Sequence, residues 1–166
     1  MAPVASFSID IDAPIATVWQ AMVELQRYHE WNPFIVGVET ADAIAHVGTR
    51  MLLDVRWGRG GGTRSPEMVS RLDAPAPAPG GGMHAQLDYV YLGLPARLGL
   101  VRGTRVQTVA QTAGGPTRYE TREQFSGLMA AGVPLRKVQD GFERHGRALK
   151  QRAESMARAA GGRAAG

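Results

Sequence analysis

Cysteine is absent from this 166-residue chain. That removes disulfides, thiolate zinc sites, iron–sulfur clusters and thiol nucleophiles in one step. Histidine is sparse: His29, His46, His84 and His145 are the only four, and none stand in H-x-x-x-H spacing. A metal site would have to be carboxylate-heavy and scattered, so neither a metal nor another cofactor is expected. Lysine is nearly missing too, since 17 of the 19 basic residues are arginine and only Lys137 and Lys150 are lysine. No run approaches the roughly 18 apolar residues of a membrane span. Met1 to Asp10 lacks the basic and apolar regions of a signal peptide. The compartment expected from these absences is the cytoplasm, and the lack of cysteine fits either redox environment.

What is present describes an ordinary globular chain, 44% hydrophobic and 20% charged. A mass of 17.8 kDa supports one domain with a core that needs no staples. We expect that domain over residues 1–160, followed by a flexible Ala/Gly/Arg tail over 161–166. The formal charge is +4 and the isoelectric point is near 10.0.

Phe7, Ile9 and Ile11 alternate, as in a half-buried strand. Asp12 then occupies an N-cap position, with Pro14 in the turn that follows. Ile15, Val18, Trp19, Met22 and Leu25 form one apolar helix stripe. Arg27 to Phe34 is short and aromatic and ends at Asn32-Pro33, which predicts a second short helix or turn. Six strand-like stretches follow, at 35–40, 49–57, 66–73, 83–92, 102–112 and 116–125. They are separated by Gly-rich, Ala-Pro or Asp-containing breakers, the pattern of an antiparallel meander. The Ala-Pro-Gly run from Ala74 to Gly82 is expected to be an exposed loop. Leu135, Val138, Phe142, His145, Leu149, Arg152 and Met156 then mark one helix of roughly 25 residues. From Ala157 the composition collapses to Ala, Gly and Arg, where fraying is expected.

Three motifs, in this order and spacing, resemble a known superfamily. They are Ile11-Asp-Ala-Pro-Ile-Ala-Thr-Val-Trp19 with Tyr28-His-Glu-Trp-Asn-Pro-Phe34, then Thr117-Arg-Tyr-Glu-Thr-Arg-Glu-Gln-Phe-Ser-Gly127, then the helix from Gly141 to Glu154. Over positions 4 to 156 the chain resembles the START-like helix-grip superfamily. The branch is the SRPBCC group of polyketide cyclase/dehydrase and lipid-transport proteins. The resemblance implies an α+β fold in which a seven-stranded antiparallel curved sheet wraps a long C-terminal helix. Two short helices would lie between strands 1 and 2, and a mostly apolar pocket between sheet and long helix. It implies no catalytic motif, because one fold hosts many activities. In the last helix the usual large apolar residue followed by Asn is here His145-Gly146.

Candidate residues follow from strand parity and helix phase. Glu123 shares parity with Tyr119, Thr121 and Phe125 and so points inward. It is either a desolvated pocket carboxylate or a structural partner for an Arg or a backbone amide. His145 is either a pocket proton shuttle or a core histidine bonded to a carbonyl. If these two meet, they form the best candidate acid–base pair. Leu87, Tyr89 and Tyr91 share one face, and Leu53, Val55 and Trp57 another. Tyr28, Trp31 and Phe142 complete the expected ligand-binding set, each with ordinary packing as the alternative.

Gly58 to Gly62 lacks the spacing and helix of a phosphate-binding loop and reads as a hairpin turn. Arg118 and Arg122 flank Glu120. On the last helix, Glu143 and Arg147, and Glu154 and Arg158, form pairs of a solvated face. Nucleic acid is therefore not an expected partner. The expected partner is a small hydrophobic ligand, with at most transient membrane contact, for a monomer or homodimer. Three functions remain open. The first is binding of a lipid, polyketide or similar molecule. The second is a cyclase- or aromatase-like enzyme, and the third a protein-interaction module of the chaperone-cofactor type.

Overall fold

A computed structural model describes residues 2–164. Strand β1 (Val4–Ile11) buries Ala5 and Ile11, half-buries Phe7 and Ile9, and exposes Ser6, Ser8 and Asp10. Helix α1 (Ile15–Val23) and a 3-10 turn (Leu25–Glu30) follow it. Next come β2 (Ile35–Glu39), β3 (Arg50–Arg56), β4 (Gly62–Pro77) and β5 (Met83–Tyr91). The one-turn helix α2 (Leu94–Arg97) precedes β6 (Arg102–Gln111) and β7 (Thr117–Ser126). After a short 3-10 turn (Ala130–Gly132), α3 (Leu135–Ala164) closes the chain.

The seven strands form one antiparallel sheet in the order β1-β7-β6-β5-β4-β3-β2. Only the β1–β7 pairing joins strands far apart in sequence, and β1 and β2 are the edges. Register shifts in β2 between Ile35 and Gly37, and in β4 after Val69 and after Asp73, bend the sheet. The curved sheet wraps α3, which packs on β1 and α1. This is the helix-grip arrangement that the sequence motifs imply. No helix among the described residues is long and apolar enough to cross a membrane.

Local details depart from expectation for tertiary reasons. Pro14, not Asp12, is the residue before α1. The first amide of α1, on Ile15, donates to Gln111 Oε1 at 3.0 Å, so β6 supplies the cap. The Ala-Pro run is strand as far as Pro77, because β4 beyond Met68 has no β3 partner on one edge. A proline whose nitrogen faces an open edge forfeits no ladder bond. The α3 stripe runs through Val138, Phe142, His145, Leu149 and Ala153, while Arg152 leaves it and pairs with Glu30 at 2.8 Å. Glu154 pairs with Lys150 at 2.7 Å rather than with Arg158.

Residues 161–164 of the expected flexible tail lie within α3, where Ala and Arg favour helix enough to carry two glycines; residues 165–166 lie outside the described residues. Gly141 and Gly146 let α3 approach the sheet closely. A side chain at Gly141 would strike the Phe34 ring, and one at Gly146 would strike Phe7. The glycine after His145 is therefore a packing requirement.

Candidate functional site

Between the sheet and the first turns of α3 lies a cavity of about 450 Å³ that opens to solvent. Its walls are mostly apolar: Phe34, Leu53, Val55, Trp57, Val101, Phe125, Val138 and Phe142. Four charged residues line it: Glu67 and the exposed Arg64, which pairs with Glu39, from β4, Arg105 from β6 and Glu123 from β7. Arg105 and Glu123 are direct cross-strand partners. Gly103, one inward position along β6, leaves the room that the Glu123 carboxyl occupies, since a side chain there would strike Oε1.

Arg105 is 4% exposed, yet no carboxylate lies within ion-pair distance of it among the described residues. Its Nε donates to Thr121 Oγ1 at 3.0 Å and its Nη2 to the Tyr119 hydroxyl at 3.4 Å. The guanidinium carbon stands 4.4 Å from the Phe142 ring centre, a cation–π contact. Burial works against its charge, but Tyr119, Tyr89, Tyr28 and Glu123 outweigh burial, and its pKa moves upward. Nη1 has no protein acceptor among the described residues, so this lining side chain has donors to spare for a ligand.

The two carboxyls are held above their ordinary range. Burial, then the neighbouring Glu67, pushes Glu123 up to about 8, while Arg105 pulls it down. Burial also raises Glu67, opposed by the Ser65 hydroxyl, which donates to Oε1 at 2.9 Å, and by Arg105. At neutral pH Glu123 is thus mostly a neutral acid that can donate a hydrogen bond.

His145 lies elsewhere, and it does not meet Glu123. It is fully buried beneath Tyr28, Trp31 and Tyr119, with ring centres 6.0, 5.5 and 6.0 Å away. Asn32 Oδ1 accepts from the Phe34 and Ile35 amides at 3.0 Å each, which orients its amide group. Its Nδ2 must then donate to His145 Nδ1, at 2.8 Å. The imidazole proton consequently sits on Nε2, which has no partner. Burial, and then Arg105, holds the His145 pKa well below its ordinary value. It is a neutral core histidine bonded to an amide, not to a carbonyl.

Of the ligand-binding residues expected from sequence, Leu53, Val55, Trp57, Tyr91, Glu123, Phe125 and Phe142 line the cavity. Tyr28, Trp31, Leu87, Tyr89, Thr121 and His145 do not. Leu87, Tyr89 and Thr121 have the right inward parity, but Tyr28 and Trp31 of the 3-10 region and His145 of α3 pack into that half of the curved sheet and fill it. Tyr28 donates to the Met22 carbonyl at 2.8 Å, which leaves Tyr89 to donate to Tyr28 at 3.3 Å. Thr121 supports Arg105 from behind. Glu67 and Arg105 were missed by sequence reasoning. The available signal was charge at inward parity: Glu67 alternates with buried Val69, and Arg105 with Gln107 and Val109. Among the described residues, no three His, Asp or Glu side chains are grouped to hold a metal.

The sequence pattern of a family described as polyketide cyclase / dehydrase and lipid transport matches residues 3–161. The chain belongs to that family. A comparison with curated proteins finds no match. Solved structures share the fold at low identity. The di-domain ARO/CYC BexL of the BE-7585A biosynthetic pathway is 16% identical with a TM-score of 0.61 over 93% of this chain. This chain spans only 50% of BexL. Norcoclaurine synthase from Thalictrum flavum, solved with dopamine and hydroxybenzaldehyde, is 12% identical with a TM-score of 0.66, covering 91% of this chain and 86% of the synthase. A START superfamily protein from Mycobacterium smegmatis is 14% identical with a TM-score of 0.59, covering 93% and 97% of the two chains.

Proposed function

We propose that this family member binds a small, largely apolar molecule in the cavity and holds one oxygen-bearing end of it on Glu123 and Arg105. The observation that carries the reading is an apolar-walled space of about 450 Å³ with a neutral acid and a donor-rich guanidinium on its inner side. Both groups offer hydrogens, so the ligand group they suit is an acceptor such as a carbonyl, phenol or carboxylate oxygen. Burying about 300 Å² of apolar ligand surface is worth roughly 7 kcal/mol before the costs of association. The polar end then decides orientation more than affinity.

Native mass spectrometry of protein purified from its own host tests this. A co-purifying small molecule is expected, and Val101→Trp, which fills the cavity from its wall, is expected to remove it. Persistent absence of any such mass, with no uptake of fluorescent lipids, would overturn the reading.

A second reading is acid–base catalysis of the cyclase or aromatase type, favoured by the carboxyl pair. The neighbouring Glu67 raises Glu123, so the two protons leave in separate steps. Near neutral pH one can then serve as base while the other remains an acid. The cavity would fold a flexible chain into reactive geometry. Under this reading Glu123→Gln abolishes turnover of a cyclisable substrate; turnover that survives removes Glu123 as acid or base.

A further inference from the structure

We propose that the loop pair at the cavity mouth is a docking surface for an anionic lipid bilayer. One segment is Gly93 to Arg102, which contains α2, and the other is Gly127 to Val138, which leads into α3. Their backbones abut: the Met129 amide donates to the Leu100 carbonyl at 2.8 Å. Gly127 adopts φ +108°, and a side chain there would collide with the Leu100 and Gly99 carbonyls. On their inner side Leu100, Val101 and Val133 line the cavity.

On their outer side the same segments expose apolar side chains. Leu94 is 65% exposed, Leu98 62%, Leu128 89% and Met129 58%. These are four of the six large hydrophobic residues so exposed among the described residues; the other two, Ile44 and Val47, lie between β2 and β3. Scattered exposed apolar side chains need no explanation, but four gathered at the mouth of an apolar cavity do.

The charge around them identifies the partner. The two segments carry Arg97, Arg102, Arg136 and Lys137 and contain no Asp or Glu. All four basic side chains are exposed, and none has an ion-pair partner among the described residues. Arg27, Arg64, Arg118 and Arg144 sit on carboxylates, and the other exposed arginines without an ion pair among the described residues, Arg50, Arg56, Arg59, Arg122 and Arg158, are spread over the sheet, a hairpin and the far end of α3. The four charges at the mouth equal the formal net charge of the whole chain, +4, so the remainder of the sequence is balanced. Apolar tips ringed by unpaired cations suit a surface with an apolar interior and anionic headgroups. A second copy of the chain seated face to face would instead oppose four positive charges with four more. Docked this way, the cavity mouth opens onto the lipid, and a ligand passes between bilayer and protein without crossing water. The surface stands independently of what the cavity holds.

Flotation with unilamellar vesicles tests the proposal. The 166-residue chain is expected to float with vesicles of phosphatidylglycerol and phosphatidylcholine in equal parts, to lose binding as salt rises, and not to float with phosphatidylcholine alone. Lys137→Gln is expected to weaken binding about fivefold. The pair Leu98→Ser and Leu128→Ser is expected to weaken it at least about tenfold, with an unchanged circular dichroism spectrum. Ile44→Ser, on the other exposed apolar site, leaves binding unchanged. Absence of flotation, equal flotation with both vesicle types, or full binding by the double leucine variant would each overturn the proposal. A concentration-dependent dimer in sedimentation that Leu128→Ser abolishes would assign the surface to a second copy instead. Ligand retention measured on the same variants by native mass spectrometry separates failure of docking from failure of the cavity reading.

Discussion

Replacing Glu123 with Gln separates the charge of this side chain from its shape. In the folded chain burial, then Glu67, raises the carboxyl to about 8, from an ordinary value of 4.5. Between those two values the folded state keeps a proton that the unfolded chain has released. The stability this proton contributes is therefore fully present below the ordinary value and is lost as pH rises through about 8. The slope has a ceiling of about 1.4 kcal/mol per pH unit for one group. Glu123 is half-buried and borders a solvent-open cavity, so about 1 kcal/mol per pH unit is a better figure. Gln carries no titrating proton and has no such slope.

Wild-type stability relative to the Gln variant is thus expected to fall by about 2 kcal/mol between about pH 5.5 and about pH 7.5. For a chain of this size that corresponds to a relative melting shift of about 4–8 °C. Urea denaturation followed by circular dichroism, repeated across this pH range for both proteins, measures it. A stability difference that stays constant with pH would show that the carboxyl is as solvated in the folded state as in the unfolded one. That result would remove the neutral acid from the cavity and with it the hydrogen-bonding role proposed for Glu123.

Three further outcomes are expected. In carbon-13 spectra, Glu67→Gln lowers the Glu123 titration midpoint and Arg105→Gln raises it, because a like charge is removed in one case and an opposite charge in the other; the reverse order would contradict the cavity electrostatics. Asn32→Ala strands the Phe34 and Ile35 amides and His145 Nδ1, and is expected to cost at least about 3 kcal/mol in urea denaturation; a loss below about 1 kcal/mol would mean that water replaces the amide. Gly141→Ala drives a methyl group into the Phe34 ring, and is expected to destabilise by about 1–2 kcal/mol despite the helix propensity gained; a stabilised variant would show Phe34 free to swing into the cavity.

Strand parity and helix phase carry local information, and they reached the architecture because each element repeats its pattern over several turns or pleats. Phe7, Ile9 and Ile11, and Val138, Phe142 and Leu149, declare their faces without reference to any neighbour. The same parity sent Glu123 inward, and it lines the cavity. Parity does not say what an inward residue meets. His145 shares the α3 stripe with Phe142, one turn away, yet only Phe142 borders open space. Tyr89 and Tyr91 share one strand face, but Tyr89 lies against Tyr28 while Tyr91 lines the cavity. The difference arises from where α1 and the 3-10 turn stop covering the sheet.

The sequence by itself determined the order of the strands and of the first and last helices, the absence of thiol chemistry and the inward direction of Glu123. These follow from composition and from patterns only a few residues long. Only the tertiary structure decided that Glu123 faces Arg105 and Glu67 rather than His145, and that Arg97, Arg102, Arg136 and Lys137 gather at one rim with no carboxylate among them. Those groupings join residues tens of positions apart through β-ladder register and sheet curvature. A linear pattern carries no measure of either.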